Sequence, residues 1–304
     1  MAIPESKFGD WNSTGADKGS ADARKKVKTA LMTERSPLEQ GDEEYEVYLQ
    51  GSYRNTTHTR SSSDIDVVTK ITSVWHSDRS NLTDEEEERY QDDHGDPDYG
   101  REDFYDDVRR ALQTKFNPSA VSRGNKAIKI DEEETSQLDV DVDVVACGEY
   151  RVYHTYPEGG NEDAEYDEGM HFMPLYGTDR IINFPKLHHE NGCDKHSNYK
   201  ETVRIFKNAR DYYNDHWDSL WSIDAPSYFI ECLIYNVPQR ILKRSNMSDR
   251  FIEVLDHLDD DEIDLTTFDQ VSEMEPIFGD NNTQWNTDSA ETMIARLHRM
   301  WEDW

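Results

Sequence analysis

Gly51-Ser52, then after eleven residues Asp64-Ile65-Asp66, and far downstream Leu138-Asp139-Val140-Asp141-Val142-Asp143-Val144-Val145, decide how this chain reads. In an extended strand residues i and i+2 share a face about 7 Å apart, so Asp64 and Asp66 are expected side by side with Ile65 turned into a core. Nucleotidyl transfer asks little covalent chemistry of a protein. Its rate comes from positioning and from two divalent ions about 3.5–4 Å apart, one on the attacking oxygen and one on the leaving phosphates. Mg²⁺ takes hard oxygen ligands such as carboxylates, and Mn²⁺ accepts the same donors. Two side chains cannot complete two octahedral shells, so a third carboxylate has to come from another strand. The stretch 138–145 offers Asp139, Asp141 and Asp143; alternation puts all three on one face and leaves the choice open. Upstream, Gly51 lets the backbone turn tightly and bring its N–H groups to a triphosphate, and the Ser52 hydroxyl adds a donor. An isolated Asp-x-Asp in an acidic chain is usually a solvated edge. With Gly-Ser above it and an apolar-flanked aspartate strand below, it points to a metal-dependent nucleotidyl-transfer centre.

Around that motif, Ala21 to Leu31 predicts a helix, with Val27 and Leu31 on one face. Tyr45 to Gln50 and Asp64 to Ile71 predict the first two strands, joined by a turn at the phosphate cradle. Between Ser77 and Asp103 the chain is acidic, with Asp84-Glu85-Glu86-Glu87-Glu88 and Asp96-Pro97-Asp98, and reads as an exposed insertion. Val108 to Phe116 predicts a helix, Ala127 to Ile130 and Leu138 to Val145 paired strands, and Tyr150 to Tyr156 a further one. From Lys200 the period turns helical: Val203, Phe206 and Tyr213 face inward, while Lys200, Arg204, Lys207 and Arg210 gather on a neighbouring face. His188, His189, Cys193 and His196 have a spacing loosely like a zinc knuckle, but paired CxxC elements are missing, and the cluster reads as core or loop. Trp301 and Trp304 read as packing.

Four stretches carry a resemblance. They are Phe8-Gly9-Asp10-Trp11, the motif from Gly51 to Val68, Asp143-Val144-Val145-Ala146, and a C-terminal set. That set runs Asn183-Phe184-Pro185-Lys186-Leu187-His188, Thr202 to Arg210, and Ala225-Pro226-Ser227-Tyr228-Phe229-Ile230-Glu231-Cys232-Leu233. The chain resembles the CD-NTases, cyclic-oligonucleotide synthases of bacterial and archaeal antiphage signalling. These are relatives of cyclic GMP-AMP synthase and oligoadenylate synthase in the polymerase-beta-like superfamily. Ala146 departs from the proline the family often has there. The first motifs are shared by the superfamily; the C-terminal set is narrower.

The resemblance implies an α/β (α+β) fold: a polymerase-beta-like core with a mixed sheet over residues 1–185, a helical lobe resembling that of oligoadenylate synthase over 186–304, and an active site in the cleft between. It selects Asp143 as the third metal ligand beside Asp64 and Asp66. It also implies that Lys207 reaches the donor triphosphate and that Ser227 assists from a helix N-terminus, where N–H groups and positive charge favour phosphate. The implied reaction joins nucleoside triphosphates, ATP among them, into a cyclic di- or trinucleotide that activates a separate effector protein. The alternatives are a transferase acting on a protein or RNA, and a silent nucleotide-sensing module.

Composition bounds these readings. A length of 304 residues with seven Trp and sixteen Tyr can fill a core. Sixty-five acidic against 33 basic residues, a net charge of −32, disfavours binding to a DNA backbone, which depends on basic surface. The same excess, spread along the chain, is expected of a halophilic host, such as an archaeon, whose proteins stay hydrated in molar salt. Three scattered cysteines, no signal peptide and no long apolar run give no support for disulfides, secretion or a membrane span, and leave the cytoplasm as the expected location.

Overall fold

The computed structural model describes residues 3–14, 19–41, 43–59, 64–95, 97–217 and 222–304, and divides the chain into two compact units. One comprises Lys18–Gln50 and Ser63–Lys186; the other comprises Met1–Asp17, Gly51–Ser62 and Leu187–Trp304. The break after Lys186 is adjacent to the boundary expected from the sequence, but residues 1–17 and 51–62 group with the helical C-terminal part rather than with the sheet.

The helices and strands, in chain order, are α1 (Glu5–Asn12), α2 (Ser20–Leu31), β1 (Tyr45–Leu49), α3 (Gly51–Asn55), β2 (Ile65–Asp78), α4 (Asp84–Asp93), α5 (Arg101–Phe116), β3 (Val121–Arg123), β4 (Ile128–Ile130), β5 (Val142–Thr155), β6 (Glu165–Phe172), β7 (Ile181–Asn183), α6 (Pro185–Asp194), α7 (Tyr199–His216), α8 (Ser227–Tyr235), α9 (Gln239–Leu242), α10 (Met247–Leu258) and α11 (Thr287–Glu302).

Among the described residues the sheet unit holds seven strands, ordered β1-β2-β5-β4-β3, with β6 on the far half of β5 and β7 beyond it. β2 and β5 run parallel and the other pairs antiparallel, so the sheet is mixed, as expected. Both central strands are rich in β-branched residues, and Ile65, Val67, Ile71, Val142 and Val144 are fully buried. The helices over the sheet are amphipathic at a spacing of three and four residues: Ala23, Val27, Ala30 and Leu31 of α2, and Phe104, Val108, Ala111 and Leu112 of α5, are buried.

Three sequence expectations change here. The described part of the segment from Ser77 to Asp103 is largely exposed, as expected, but it carries regular structure: β2 continues to Asp78, and α4 begins at Asp84 behind its N-cap Thr83, whose hydroxyl and Glu86 form a reciprocal capping box. Tyr90 of α4 is buried against Tyr153 and Tyr156, which anchors an otherwise acidic helix. Asp96 of the expected Asp-Pro-Asp turn lies outside the described residues. The second aspartate strand starts at Val142, not Leu138, so Asp139 and Asp141 precede it. The predicted strand at Tyr150 is the second half of that same β5.

In the helical unit α7 carries Val203, Phe206 and Tyr213 inward as its period predicts. A large aromatic and aliphatic core surrounds it, with contributions from α8, α10 and α11. Helix α1 joins this core: Phe8 and Trp11 meet edge to face at 5.4 Å, and Phe8 also contacts Phe251 and Trp301. Trp304 packs on Trp11 and Tyr212, in keeping with a packing role for the C-terminal tryptophans.

Candidate active site

The residues singled out from the sequence fall into two groups, one in each unit. In the sheet unit, Asp64 immediately precedes β2, and Asp66 pairs directly with Asp143 across the parallel β2–β5 ladder. Alternation places these two on one face, with Ile65 and Val142 buried on the other. Asp141 has a different job: its carboxylate accepts the Glu132 backbone N–H at 2.9 Å, closing the loop that enters β5. Among the described residues Asp143 pairs with one cation, Lys129 at 3.8 Å on the adjacent β4.

Burial, together with the Asp143 and Asp64 carboxylates alongside, pushes Asp66 up to about 7. Asp143 is also raised, mainly by burial, with Lys129 opposing the shift and Asp64 and Asp141 adding to it. Asp66 and Asp143 are partly buried carboxylates, both raised, with the charge of the exposed Asp64 adding to each; a divalent cation would relieve that crowding of negative charge. Their oxygen donors suit Mg²⁺ or Mn²⁺. As the side chains stand, no group of three or more His, Cys, Asp or Glu among the described residues is gathered to hold an ion. The fit is therefore one of donor type and charge.

In the helical unit, Gly51 adopts φ +67°, the left-handed region that glycine accepts without strain, and opens the short helix α3 in place of the expected simple turn. The Ser52 carbonyl accepts the Thr57 N–H at 2.9 Å and folds the segment back. Ser227 is the exposed first residue of α8, at the helix N-terminus as predicted.

Lys207 departs from expectation. It is only 2% exposed, and its ammonium is paired with Glu231 on α8 and donates to the carbonyl and hydroxyl of Thr57. The same carboxylate accepts the Thr57 hydroxyl at 2.7 Å and meets His188 Nε2 at 3.0 Å. Lys207 therefore ties the segment after α3 to α7 and α8 instead of presenting a free charge, because a buried ammonium without a counter-ion would be costly. The expected basic face is dispersed in the same way. Arg204 donates to the Asn12 and Thr56 carbonyls, Arg210 to that of Ala225, and Lys200 to Cys193 Sγ at 3.1 Å.

Sequence reasoning missed Glu231 and Thr57 as the partners of Lys207. A signal was present: Glu231 is the lone charge in Phe229-Ile230-Glu231-Cys232-Leu233-Ile234, and a carboxylate inside an apolar helix needs a buried partner.

Residues 190–302 match the cGAS/DncV-like nucleotidyltransferase C-terminal helical domain. The whole chain aligns, at 36% identity over 308 residues, with 99% of a cyclic UMP-AMP synthase of Rhodothermus marinus. The chain belongs to the CD-NTase family. Like its relatives, this CD-NTase is a nucleotidyltransferase. It is 34% identical over its full length to the cyclic nucleotide synthase CdnE01 of Staphylococcus haemolyticus. Its fold matches the structure of the R. marinus CdnE c-UMP-AMP synthase with Apcpp and Upnpp at a TM-score of 0.83, covering 99% of this chain and 97% of that one. The Elizabethkingia meningoseptica CdnE cyclic dinucleotide synthase, at 24% identity and a TM-score of 0.69, shares the fold. No helix among the described residues is long and apolar enough to cross a membrane.

Proposed function

We propose that this CD-NTase joins two ribonucleoside triphosphates into a cyclic dinucleotide, with Asp64, Asp66 and Asp143 as its metal-binding carboxylates. The observation that carries the assignment is the direct pairing of Asp66 with Asp143 on neighbouring parallel strands, with Asp64 one step before, in a chain aligned end to end with cyclic nucleotide synthases. Two Mg²⁺ ions, or Mn²⁺, held there would draw charge from the attacking ribose hydroxyl and from the departing pyrophosphate. Asp143 takes the proton of the acceptor hydroxyl. The hydroxyl oxygen bonds to the α-phosphorus of the donor, and the bond to the oxygen bridging to the β-phosphate breaks. The Gly51 and Ser52 N–H groups, the Ser52 hydroxyl and the start of α8 at Ser227 hydrogen-bond to the triphosphate. Lys207 acts by fixing the Thr57 segment that follows this cradle. A second transfer, from the free hydroxyl of the linear intermediate onto its own α-phosphorus, closes the ring.

The R. marinus relative makes ATP and UTP the first pair to test. The product is a messenger for a separate effector protein in antiphage signalling, and the dense carboxylate surface of a chain with net charge −32 suits a cytoplasm of high salt. The test is incubation with all four ribonucleoside triphosphates and Mg²⁺ or Mn²⁺ at low and at molar KCl, with phosphatase-resistant products identified by mass. A cyclic product lost in Asp64→Asn/Asp66→Asn is the expected result. Label transferred to protein or RNA, with no cyclic product, would overturn the proposal.

A further inference from the structure

The sheet unit contains a cavity of about 250 Å³ between the start of α5, the β3–β4 hairpin and the segment after β6. Its strand-side wall includes Ala146, three residues beyond Asp143 and on the opposite face of β5, which puts the cavity about 10 Å along the strand from the carboxylates and behind them. In a chain with twice as many acidic as basic residues, three of its lining side chains are cations: Arg101, Arg123 and Lys126.

These cations are poorly matched. The Arg101 side chain is 16% exposed, and its one ion pair among the described residues is a 3.5 Å contact with Glu102, itself 90% exposed. Arg123 stacks its guanidinium over the Tyr105 ring at 5.0 Å, and among the described residues neither it nor Lys126 has a carboxylate at ion-pair distance. The Tyr105 hydroxyl is buried with no hydrogen-bond partner among the described residues. Asp106, also on the wall, leans toward Arg109 at 3.6 Å. Burial lowers the Arg101 pKa; Glu102 opposes this, and the Arg180 and Arg123 charges add to it.

The opposite wall is apolar: Phe172, Met173, Pro174 and Leu175, with Met173 36% exposed at the rim. The frame is held by backbone bonds. The Asn125 carbonyl accepts the Leu175 N–H at 2.7 Å, and its side-chain oxygen accepts the Tyr176 N–H at 2.8 Å. Gly124 turns so tightly that a Cβ there would meet the Ala127 carbonyl at 2.9 Å. A largely buried guanidinium, Arg101, whose ion pair is one 3.5 Å contact to an exposed carboxylate, and the buried Tyr105 hydroxyl gain from an anion that supplies acceptors, with the exposed Arg123 and Lys126 at the mouth to receive it. Arginine forks match the oxygens of phosphate, and the volume and apolar wall leave room for a flat group attached to it.

We propose that this cavity is a second ligand site, distinct from the aspartate face, that takes a phosphate monoester of mononucleotide size. The phosphate lies among Arg101, Arg123 and Lys126, and the remainder of the ligand lies along Phe172 to Leu175. The test is calorimetric titration of the full chain carrying Asp64→Asn/Asp66→Asn, without divalent metal, using AMP, adenosine, inorganic phosphate and a short oligoribonucleotide as probes. AMP should bind at one site and adenosine at least tenfold more weakly. Arg101→Gln should weaken AMP at least tenfold. Lys126→Gln, at an exposed position that cannot compromise folding, should weaken it several-fold with an unchanged melting temperature. AMP binding indifferent to both substitutions, the absence of any AMP or phosphate binding, or binding of the oligoribonucleotide alone would each overturn the proposal.

Discussion

Replacing Glu231 with alanine should cost this CD-NTase far more than the lost volume of one side chain. Glu231 is 4% exposed, and its two oxygens hold the Lys207 ammonium, the Thr57 hydroxyl and His188. Without it, Lys207 keeps only the Thr57 carbonyl at 3.3 Å and the hydroxyl at 3.4 Å, neither of which neutralises its charge. Breaking a buried ion pair by removing one partner costs about 3–5 kcal/mol. At about 2–4 °C per kcal/mol, the thermal midpoint should fall by about 6–20 °C. Removing both charges in Lys207→Met/Glu231→Leu should recover most of that loss, leaving about 1–2 kcal/mol for the hydrogen bonds of Thr57 and His188. Thermal and urea unfolding of the two single variants and the double variant measure this coupling. If the double variant loses as much as the two singles summed, the pair is not what holds the Thr57 segment, and the reasoning fails. Acid titration gives an independent check. Burial alone would raise the Glu231 pKa, but the Lys207 charge and His188 hold it well below the usual glutamate range. A carboxyl group depressed in this way adds stability above its unfolded pKa of about 4.3 and loses it as pH falls toward the folded value. Wild type should therefore lose stability below about pH 4.5 more steeply than Glu231→Gln.

Asp66→Asn and Asp143→Asn should each lower nucleotide turnover by roughly 10²–10³-fold or more, the scale seen when one fixed electrostatic contact is removed, without lowering the melting temperature, because a crowded negative charge goes with each; a stable variant with near-normal turnover would remove that residue from the site. Gly51→Ala should destabilise by about 1–2 kcal/mol through its positive φ and reduce turnover more than this loss explains, read by comparing activity at temperatures where both proteins are folded. Phe8→Ala, which empties a fully buried position among Trp11, Phe251 and Trp301, should cost about 3–5 kcal/mol in urea unfolding and show that the N-terminal helix is part of the core around α7.

Local periodicity revealed those parts of the fold that depend on local pattern. The run after Asp64 and the helical run after Lys200 lie where predicted: the first is a β-branched stretch buried on both faces from Val67 to Ile71, and the second has one buried face and a helical period. The acidic segment near residue 84 misled because five successive acidic residues look like solvated chain, whereas its fold rests on one buried tyrosine and a capping box. Tyr90 finds its partners Tyr153 and Tyr156 more than sixty residues away in sequence. Grouping of the 51–62 segment with the helical unit was hidden for the same reason. It depends on Thr57 reaching Lys207 and Glu231, contacts 150 and 174 residues apart in the chain.

The aspartates show where a period stops carrying information. Asp139, Asp141 and Asp143 are equivalent as long as all of them are assumed to lie on one strand. The structure removes that equivalence by starting β5 at Val142, so that Asp141 closes a loop and Asp143 alone of the three enters the ladder, opposite Asp66. Lys207 shows the converse limit. Its charge made it a candidate for phosphate, yet a lysine on the inward face of an amphipathic helix meets the core before it meets solvent, and one glutamate in an apolar stretch of α8 is enough to hold it there. In the proposed mechanism a charge placed in that way would act on substrate through the backbone it anchors. Substitutions at Glu231 and Thr57 should consequently alter triphosphate affinity as Lys207→Met does, although neither side chain is a cation.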